Sequence, residues 1–381
     1  MELFDVYSLY PIEPVRGEGA YVFTEDGTRY LDCYGGHAVI SIGHAHPHYV
    51  KLISEQVAKL GFYSNSVENP LQRELADKLG RLSGLDDYQL FLVSSGAEAN
   101  ENALKLASFQ TGRSRVIAFK GGFHGRTSAA VNCTDNEGIK APINKNYPVT
   151  FLEINDLGAV AQELEKGDVA AVIIEGIQGI GGIHVPDADY LEALPDLCHD
   201  NGALLILDEV QSGYGRSGKF FAFQHSRVRP DIITMAKGMG NGFPIGGVLI
   251  APEIEAKSGM LGTTFGGSHL ACAAGIAVLD VIEQEGLLEN AIEQGDYLMQ
   301  VMRETGLFSE VRGHGLMIGL QMDEPIGELR KKLLFEHRVF TGSAKDPNTI
   351  RLLPPLNFTR EQCDRVVEAF TAVPSLGGVE R

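Results

Sequence analysis

Near the start of the chain short runs of β-forming residues give way to apolar residues at helical spacing. Ala20-Tyr21-Val22-Phe23 and Thr28-Arg29-Tyr30-Leu31 flank the turn Glu25-Asp26-Gly27, which predicts a hairpin. Between residues 47 and 60 the spacing of Val50, Ile53, Val57 and Leu60 is helical, and Gly61 stops it. Residues 71–82 predict a second amphipathic helix, ended by Ser83-Gly84. Strands and helices then alternate. Strands are expected at 89–93, 115–119, 169–174, 203–207, 231–235 and 247–250, with helices at 97–109 and 189–200. The run at 169–174 is continuously apolar, as a strand buried on both faces should be. This alternation predicts an α/β fold with a mostly parallel central sheet flanked by helices, in which ligands sit at the carboxyl ends of the strands. A helix at 270–283 begins in small residues, and the pattern then loosens into helices and short strands. The expected division is an N-terminal segment, 1–45, joining a small domain; a large domain, 46–268; and a C-terminal small domain of α+β type, 269–381.

Composition narrows the function. The 381 residues carry a net charge of −18, and no Lys/Arg-rich run supplies the basic face that a nucleic-acid binder needs. The 45 glycines cluster at strand ends, as in an α/β enzyme with ligand loops. Five scattered cysteines (Cys33, Cys133, Cys198, Cys272, Cys363) argue against a disulfide framework and for a reducing, cytoplasmic setting. The opening Met-Glu-Leu-Phe-Asp lacks a basic n-region, and no apolar run approaches the length of a membrane span. His44-Ala45-His46-Pro47-His48 has metal-ligand spacing, but Pro47 breaks the local geometry and no carboxylate or cysteine is near in sequence, so no metal is expected.

Candidate chemistry lies at three strand ends. Lys237 follows 231–235 and precedes Gly238-Met239-Gly240-Asn241-Gly242. Partial desolvation there would lower its pKa and free a nucleophilic amine, or the side chain could simply snorkel to solvent. Asp208 closes the apolar run Leu204-Leu205-Ile206-Leu207, a costly place for a carboxylate without a cationic partner, unless it caps the next turn. Ser95-Gly96-Ala97-Glu98 has the form of a capping box at a helix start, which reads either as an ordinary cap or as a phosphate site. A phosphate cradle, a carboxylate and a lysine together suit pyridoxal phosphate (PLP). Arg126, in Phe123-His124-Gly125-Arg126-Thr127, could clamp a carboxylate. Arg351, inside Ile350-Arg351-Leu352-Leu353-Pro354-Pro355, could do the same or form a buried ion pair. Two such arginines suggest a dicarboxylate such as glutamate or 2-oxoglutarate.

With these motifs, and with Gly43-His44-Ala45-His46-Pro47, the chain resembles the class III (ornithine-type) PLP-dependent aminotransferases of fold type I along essentially its whole length. The resemblance implies that Lys237 is the Schiff-base lysine and proton shuttle, and that Asp208 pairs with the pyridinium. Val210 would lie beneath the ring, Gln211 near its phenolic oxygen, and Phe123 with the adjoining His124 against it. Ser95, Gly96 and Ala97 would hold the phosphate, joined by Thr264 across the interface of a homodimer with shared active sites. Arg126 would bind the α-carboxylate of an acylated ornithine and the distal carboxylate of glutamate, and Arg351 the glutamate α-carboxylate. Thr263, Tyr10 and His37 would line the substrate pocket. The implied reaction is ping-pong transamination of N-acetylornithine with 2-oxoglutarate, in arginine biosynthesis.

One position departs from that pattern. The family's Glu-Pro-x-Gln-Gly-Glu stands here as Glu175-Gly176-Ile177-Gln178-Gly179-Ile180, so the last carboxylate, which shields the second arginine in ornithine-type relatives, is replaced by Ile180. That keeps N-succinylornithine or another ω-amino acid open as the donor. Two rivals remain: a mutase moving an amine within one molecule, and a PLP-fold protein without catalysis.

Overall fold

The protein is described by a computed structural model that covers residues 1–373. The end of the expected small domain, 374–381, lies outside the described residues. The chain opens with β1 (Pro14–Glu18), β2 (Tyr21–Thr24) and β3 (Arg29–Asp32). The last two form the expected antiparallel hairpin; Gly27 supplies its positive φ of 82°. A single turn, α1 (Gly35–Ala38), follows; two helices, α2 (Pro47–Lys59) and α3 (Pro70–Ser83), come next. Leu75 and Leu79 of α3 are fully buried. Helix α2 has the expected period but buries none of its residues: Val50 and Val57 are 48% and 58% exposed, and Leu60, just past its end, is 44% exposed.

The core of the molecule is built from β4 (Gln89–Val93), α4 (Gly96–Thr111), β5 (Arg115–Phe119), α5 (Ser128–Asn132), β6 (Val149–Leu152), α6 (Leu157–Leu164), β7 (Val169–Glu175), α7 (Ala188–Asp200), β8 (Leu204–Asp208), β9 (Ile232–Met235) and β10 (Gly246–Ile250). Its seven strands run in the order β4-β10-β9-β8-β7-β5-β6. Every junction from β9 to β6 is parallel, whereas β10 is antiparallel to both β9 and β4. An antiparallel strand needs no crossover helix, so the Lys237 loop turns straight back into the sheet beside its own strand. All seven residues of β7 are buried, which accounts for its unbroken apolar run. Ala99, Ala103 and Ala107 are fully buried along α4 and let that helix approach the sheet closely. The short β6 and α6 were not anticipated from the sequence.

The chain continues through α8 (His269–Gln284), α9 (Leu287–Glu304), β11 (Glu310–His314), β12 (Met317–Gln321), α10 (Gly327–Phe335), β13 (Val339–Phe340), β14 (Gly342–Ser343), β15 (Thr349–Leu352) and α11 (Arg360–Ala372). One sheet has the order β11-β12-β15-β14, and a second joins the chain ends as β1-β2-β3-β13. Helix α8 packs on α2 and α3. Among the described residues no helix is long and apolar enough to cross a membrane.

Asn241 ties the N-terminal segment to the loop that carries Lys237. Its Oδ1 accepts from the Ser41 and Ile42 amides at 2.8 and 3.1 Å, and its Nδ2 donates to the Gly43 carbonyl at 2.9 Å. The residue is buried, and its φ of 48° is one that asparagine tolerates better than most residues. Asn241→Ala therefore strands two buried amides and should cost about 3 kcal/mol. Hydrogen exchange at Ser41 and Ile42 should accelerate while α3 keeps its protection; unchanged exchange at these amides would refute this role.

Candidate active site

The carboxyl ends of β4, β7, β8 and β9 open into a cavity of about 710 Å³. Lys237 enters it from a 3-10 turn directly after β9, with φ at +46°, a left-handed conformation that a lysine adopts only under constraint from its surroundings. Burial depresses its pKa; the charges of Asp208 and Glu175 oppose that shift, and Arg351 adds to it.

Asp208 closes β8 and is 3% exposed. Its Oδ2 accepts from His124 Nδ1 and Asn100 Nδ2, both at 2.7 Å, and its Oδ1 from the Val210 amide at 2.9 Å. Asn100 is in turn fixed by Thr234 of β9, whose hydroxyl donates to its Oδ1 at 2.7 Å. Burial alone would raise the Asp208 pKa, but these donors bring it below the ordinary value. For His124, burial is outweighed by the bond and the charge of Asp208, and its pKa rises. Glu175 pairs with Asp208 across the β7–β8 ladder and is raised, chiefly by burial. Two carboxylates at neighbouring strand ends are thus pushed apart in acidity, Asp208 towards the charged form and Glu175 towards the neutral one.

Ser95, Gly96 and Ala97 line the same cavity at the start of α4. The Ser95 hydroxyl accepts from the Glu98 amide at 3.2 Å, while the Glu98 carboxylate reaches back to the Ser94 amide at 2.8 Å, one residue before the position that the capping box predicted. As first-turn residues, Gly96 and Ala97 have amides without an intrahelical carbonyl. A Cβ at Gly96 would stand 2.5 Å from Val210 Cγ1, so glycine there leaves room for the valine. Phe123, Arg126, Val210 and Gln211 complete this wall. Arg126 is exposed and has no carboxylate within salt-bridge distance among the described residues.

Arg351 does not line this chamber. It is 3% exposed and lines an adjoining cavity of about 240 Å³; His37, Phe123 and Ile180 line both. Its Nε donates to the Ser343 carbonyl at 2.6 Å and its Nη1 to Gln211 Oε1 at 3.1 Å. The ion pair allowed for by the sequence is not there, since no carboxylate among the described residues lies within salt-bridge distance of this guanidinium.

Thr263, Thr264 and Tyr10 line neither cavity. Thr263 accepts from the Gly266 amide at 3.1 Å, Thr264 is exposed, and Tyr10 stands edge-on to Phe335 of α10. Tyr7 lines the large cavity instead. Glu175, Asn100 and Tyr7 were missed by sequence reasoning. Glu175 carried the signal that found Asp208, a carboxylate closing an apolar strand; the other two carried none. The three histidines of the His44–His48 motif diverge to separate carboxylates, Asp32, Glu285 and Asp280, at 2.8, 2.9 and 2.9 Å.

Comparison with known proteins defines the class. The family model Aminotransferase class-III matches residues 6–373, and the chain belongs to that family. It is 40% identical over 369 residues to the acetylornithine aminotransferase of Archaeoglobus fulgidus, with 96% of each chain covered. It is 38% identical over 373 residues to that of Bacillus subtilis, covering 96% of this chain and 95% of the relative. Among solved structures, the ornithine aminotransferase of Toxoplasma gondii superposes with a TM-score of 0.89 at 28% identity, covering 96% of this chain and 91% of that one. Another structure of that enzyme, with a TM-score of 0.87 at 29% identity and coverage of 97% and 92%, has PLP at partial occupancy in its active site. An (S)-enantioselective ω-transaminase from Thermomicrobium roseum superposes with a TM-score of 0.87 at 30% identity, over 98% and 95% of the two chains. The protein is an aminotransferase of fold type I.

The raised pKa of His124 has a pH consequence. Its stabilisation is complete below about pH 6.5, the ordinary histidine value, and is lost as pH rises through the raised folded value. Asp208→Asn removes the two largest causes of the rise and leaves burial opposed only by the charge of Glu175, so that the folded value is lowered. The stability gap between wild type and variant should therefore be widest below about pH 6.5 and narrow towards alkaline pH in thermal unfolding. A gap that is flat with pH would show that the pair does not titrate in this way.

Proposed function

We propose that this chain transfers the δ-amine of N-acetylornithine to 2-oxoglutarate with PLP as cofactor. The observation that carries the proposal is the convergence of Lys237, Asp208 and the α4 N-terminus in one cavity, with Arg126 on its wall. The relatives named acetylornithine aminotransferase, at about 40% identity, support the donor. The residues fit the cofactor in three ways. Free first-turn amides at Gly96 and Ala97, beside Ser95, suit its phosphate. A buried carboxylate held ionised at Asp208, with His124 behind it, suits a protonated ring nitrogen. Phe123 and Val210 suit the two faces of a flat ring. When bound, PLP supplies an electron-withdrawing pyridinium conjugated to the group that exchanges the amine.

The chain's own residues supply the rest. Lys237 Nζ, with its depressed pKa, would accept the proton from the amine-bearing carbon of the donor in the first half-reaction and, with the direction reversed, would deliver a proton to the carbon of 2-oxoglutarate that receives the amine in the second. Arg126 holds the donor α-carboxylate and then the distal carboxylate of glutamate; Arg351 holds the glutamate α-carboxylate. His37 and Ile180, shared by the two chambers, bound the substrate between them. Ile180 carries no charge, which favours N-succinylornithine as the second reading for the donor.

The active unit we propose is a cytoplasmic homodimer. The uncovered stripe on α2, with Phe62 and Phe265 exposed near it, supports an apolar interface, and Thr264 of the partner subunit would complete the phosphate site. The division at 45 and 268 into N-terminal segment, large domain and small domain is kept as part of the proposal.

Loss of cofactor absorbance on adding glutamate, and separately N-acetylornithine, tests the function directly; failure with glutamate would overturn transamination. Lys237→Ala should lose turnover by roughly three orders of magnitude. Arg126→Ala should lower kcat/KM about a hundredfold in both half-reactions; a loss confined to one would refute its shared role.

A further inference from the structure

The segment after β7 turns back on itself, with the Gln178 amide donating to the His184 carbonyl at 2.9 Å. Inside that turn Ile183 has φ at +61°, a left-handed conformation that a β-branched residue adopts only when its surroundings impose it. Those surroundings are well defined. Ile183 is fully buried, in a small cluster with Ile177, Ala38, Met317 and Leu353 that joins the β7 turn, the N-terminal segment and the β11-β12-β15-β14 sheet. Two glycines of that sheet form its seat. A Cβ at Gly319 would stand 3.0 Å from Ile183 Cβ, and one at Gly313 would stand 3.2 Å from its Cγ2. Two hydrogen bonds fasten the neighbouring backbone to the same part of the molecule: the Gly182 carbonyl accepts from Arg312 Nε, and the Ile180 carbonyl accepts from the Lys345 amide, both at 2.8 Å. Residues 180–183 thus leave the central sheet but are held by the sheet that carries Arg351.

We propose that Ile183 is a positioning residue for Ile180 and, through it, sets the size of the acyl group that the amino donor can carry. Ile180 stands in the wall common to the two chambers, three residues before the buried knob. An apolar wall selects by shape alone, so it discriminates only as well as its backbone stays in place. The packed, strained turn supplies that rigidity. A relaxed turn would let Ile180 swing aside and the two chambers merge, leaving room for bulkier donors. The inference rests on the functional reading above, in which an N-acylated ornithine is the donor and Ile180 bounds it.

Two variants test this in the PLP-loaded enzyme. Ile183→Val keeps the β-branch and most of the knob, whereas Ile183→Gly relaxes the backbone and empties the seat. Each is assayed with 2-oxoglutarate against two donors, N-acetylornithine and the bulkier N-benzoylornithine. Wild type should favour the acetyl donor in kcat/KM by roughly a hundredfold. Ile183→Val should keep that ratio within about twofold, and Ile183→Gly should lower it about tenfold. A knob that only stabilises the fold would lower kcat/KM for both donors alike, so an unchanged ratio in Ile183→Gly overturns the proposal. So does a wild type that takes both donors equally. Should Ile183→Gly fail to fold, Gly319→Ala crowds the seat from the other side and has to lower the ratio in its place. Hydrogen exchange at the Lys345 amide, which is bonded to the Ile180 carbonyl, needs no substrate. It should quicken in Ile183→Gly, and unchanged exchange overturns the positioning role. A wild type that reacts with neither acylated donor overturns the functional reading and the size selection with it, whereas an active wild type with an unmoved ratio overturns only the role of Ile183.

Discussion

A carboxylate sealed inside a protein must be surrounded by donors or give up its charge, and Asp208 imposes that condition on everything near it. Its donors come from three separate parts of the chain: Asn100 from α4, His124 from the loop after β5, and the Val210 amide from its own turn. Thr234 of β9, which stands opposite Asp208 in the β8–β9 ladder, locks Asn100 and so couples the Lys237 strand to the same set. The helix, the loop and two strands cannot shift independently without stranding one of these groups. Lys237, Phe123 and the amides of α4 inherit their positions from that lock.

The second constraint is electrostatic and opposite in sign. A protein with a net charge of −18 surrounds a site where two arginines meet no carboxylate among the described residues. Both are kept from the many acids by distance or burial, Arg126 on the wall of the large chamber and Arg351 inside the small one. Anions that reach the site find cations that the protein itself has not neutralised. For Arg351 the screen is made of carbonyl and amide oxygens, which lower the cost of burial without consuming the charge.

The central sheet was legible because its strands are short apolar runs ended by residues of strong chemical character. The 89–93, 115–119 and 231–235 segments all became strands, and the 47–60 and 71–82 periods became α2 and α3. The small β6 and α6 were not, since a short half-buried run carries too little periodicity. In the site, Lys237 and Asp208 stood out because a charged side chain at the end of an apolar run is costly. Asn100 did not, because an asparagine inside a helix looks like any polar surface residue until the helix face is known. Tyr10 and Tyr7 lie close together in sequence, and only the path of the exposed N-terminal segment determines which of them reaches the cavity.

Local chemistry, then, is what the sequence determined by itself: apolar runs that must become strands, glycine turns, and a lysine and a carboxylate placed where strands end. Those features depend on residues within a few positions of one another. The tertiary structure decided everything that depends on burial shared between distant segments. It sent the three histidines of one short motif to three different carboxylates, separated the two arginines into adjoining chambers, and set a glutamine against Arg351, where the sequence had left an ion pair open. The energy of a buried charge depends on what surrounds it in three dimensions, and those surroundings come from parts of the chain that no local pattern connects.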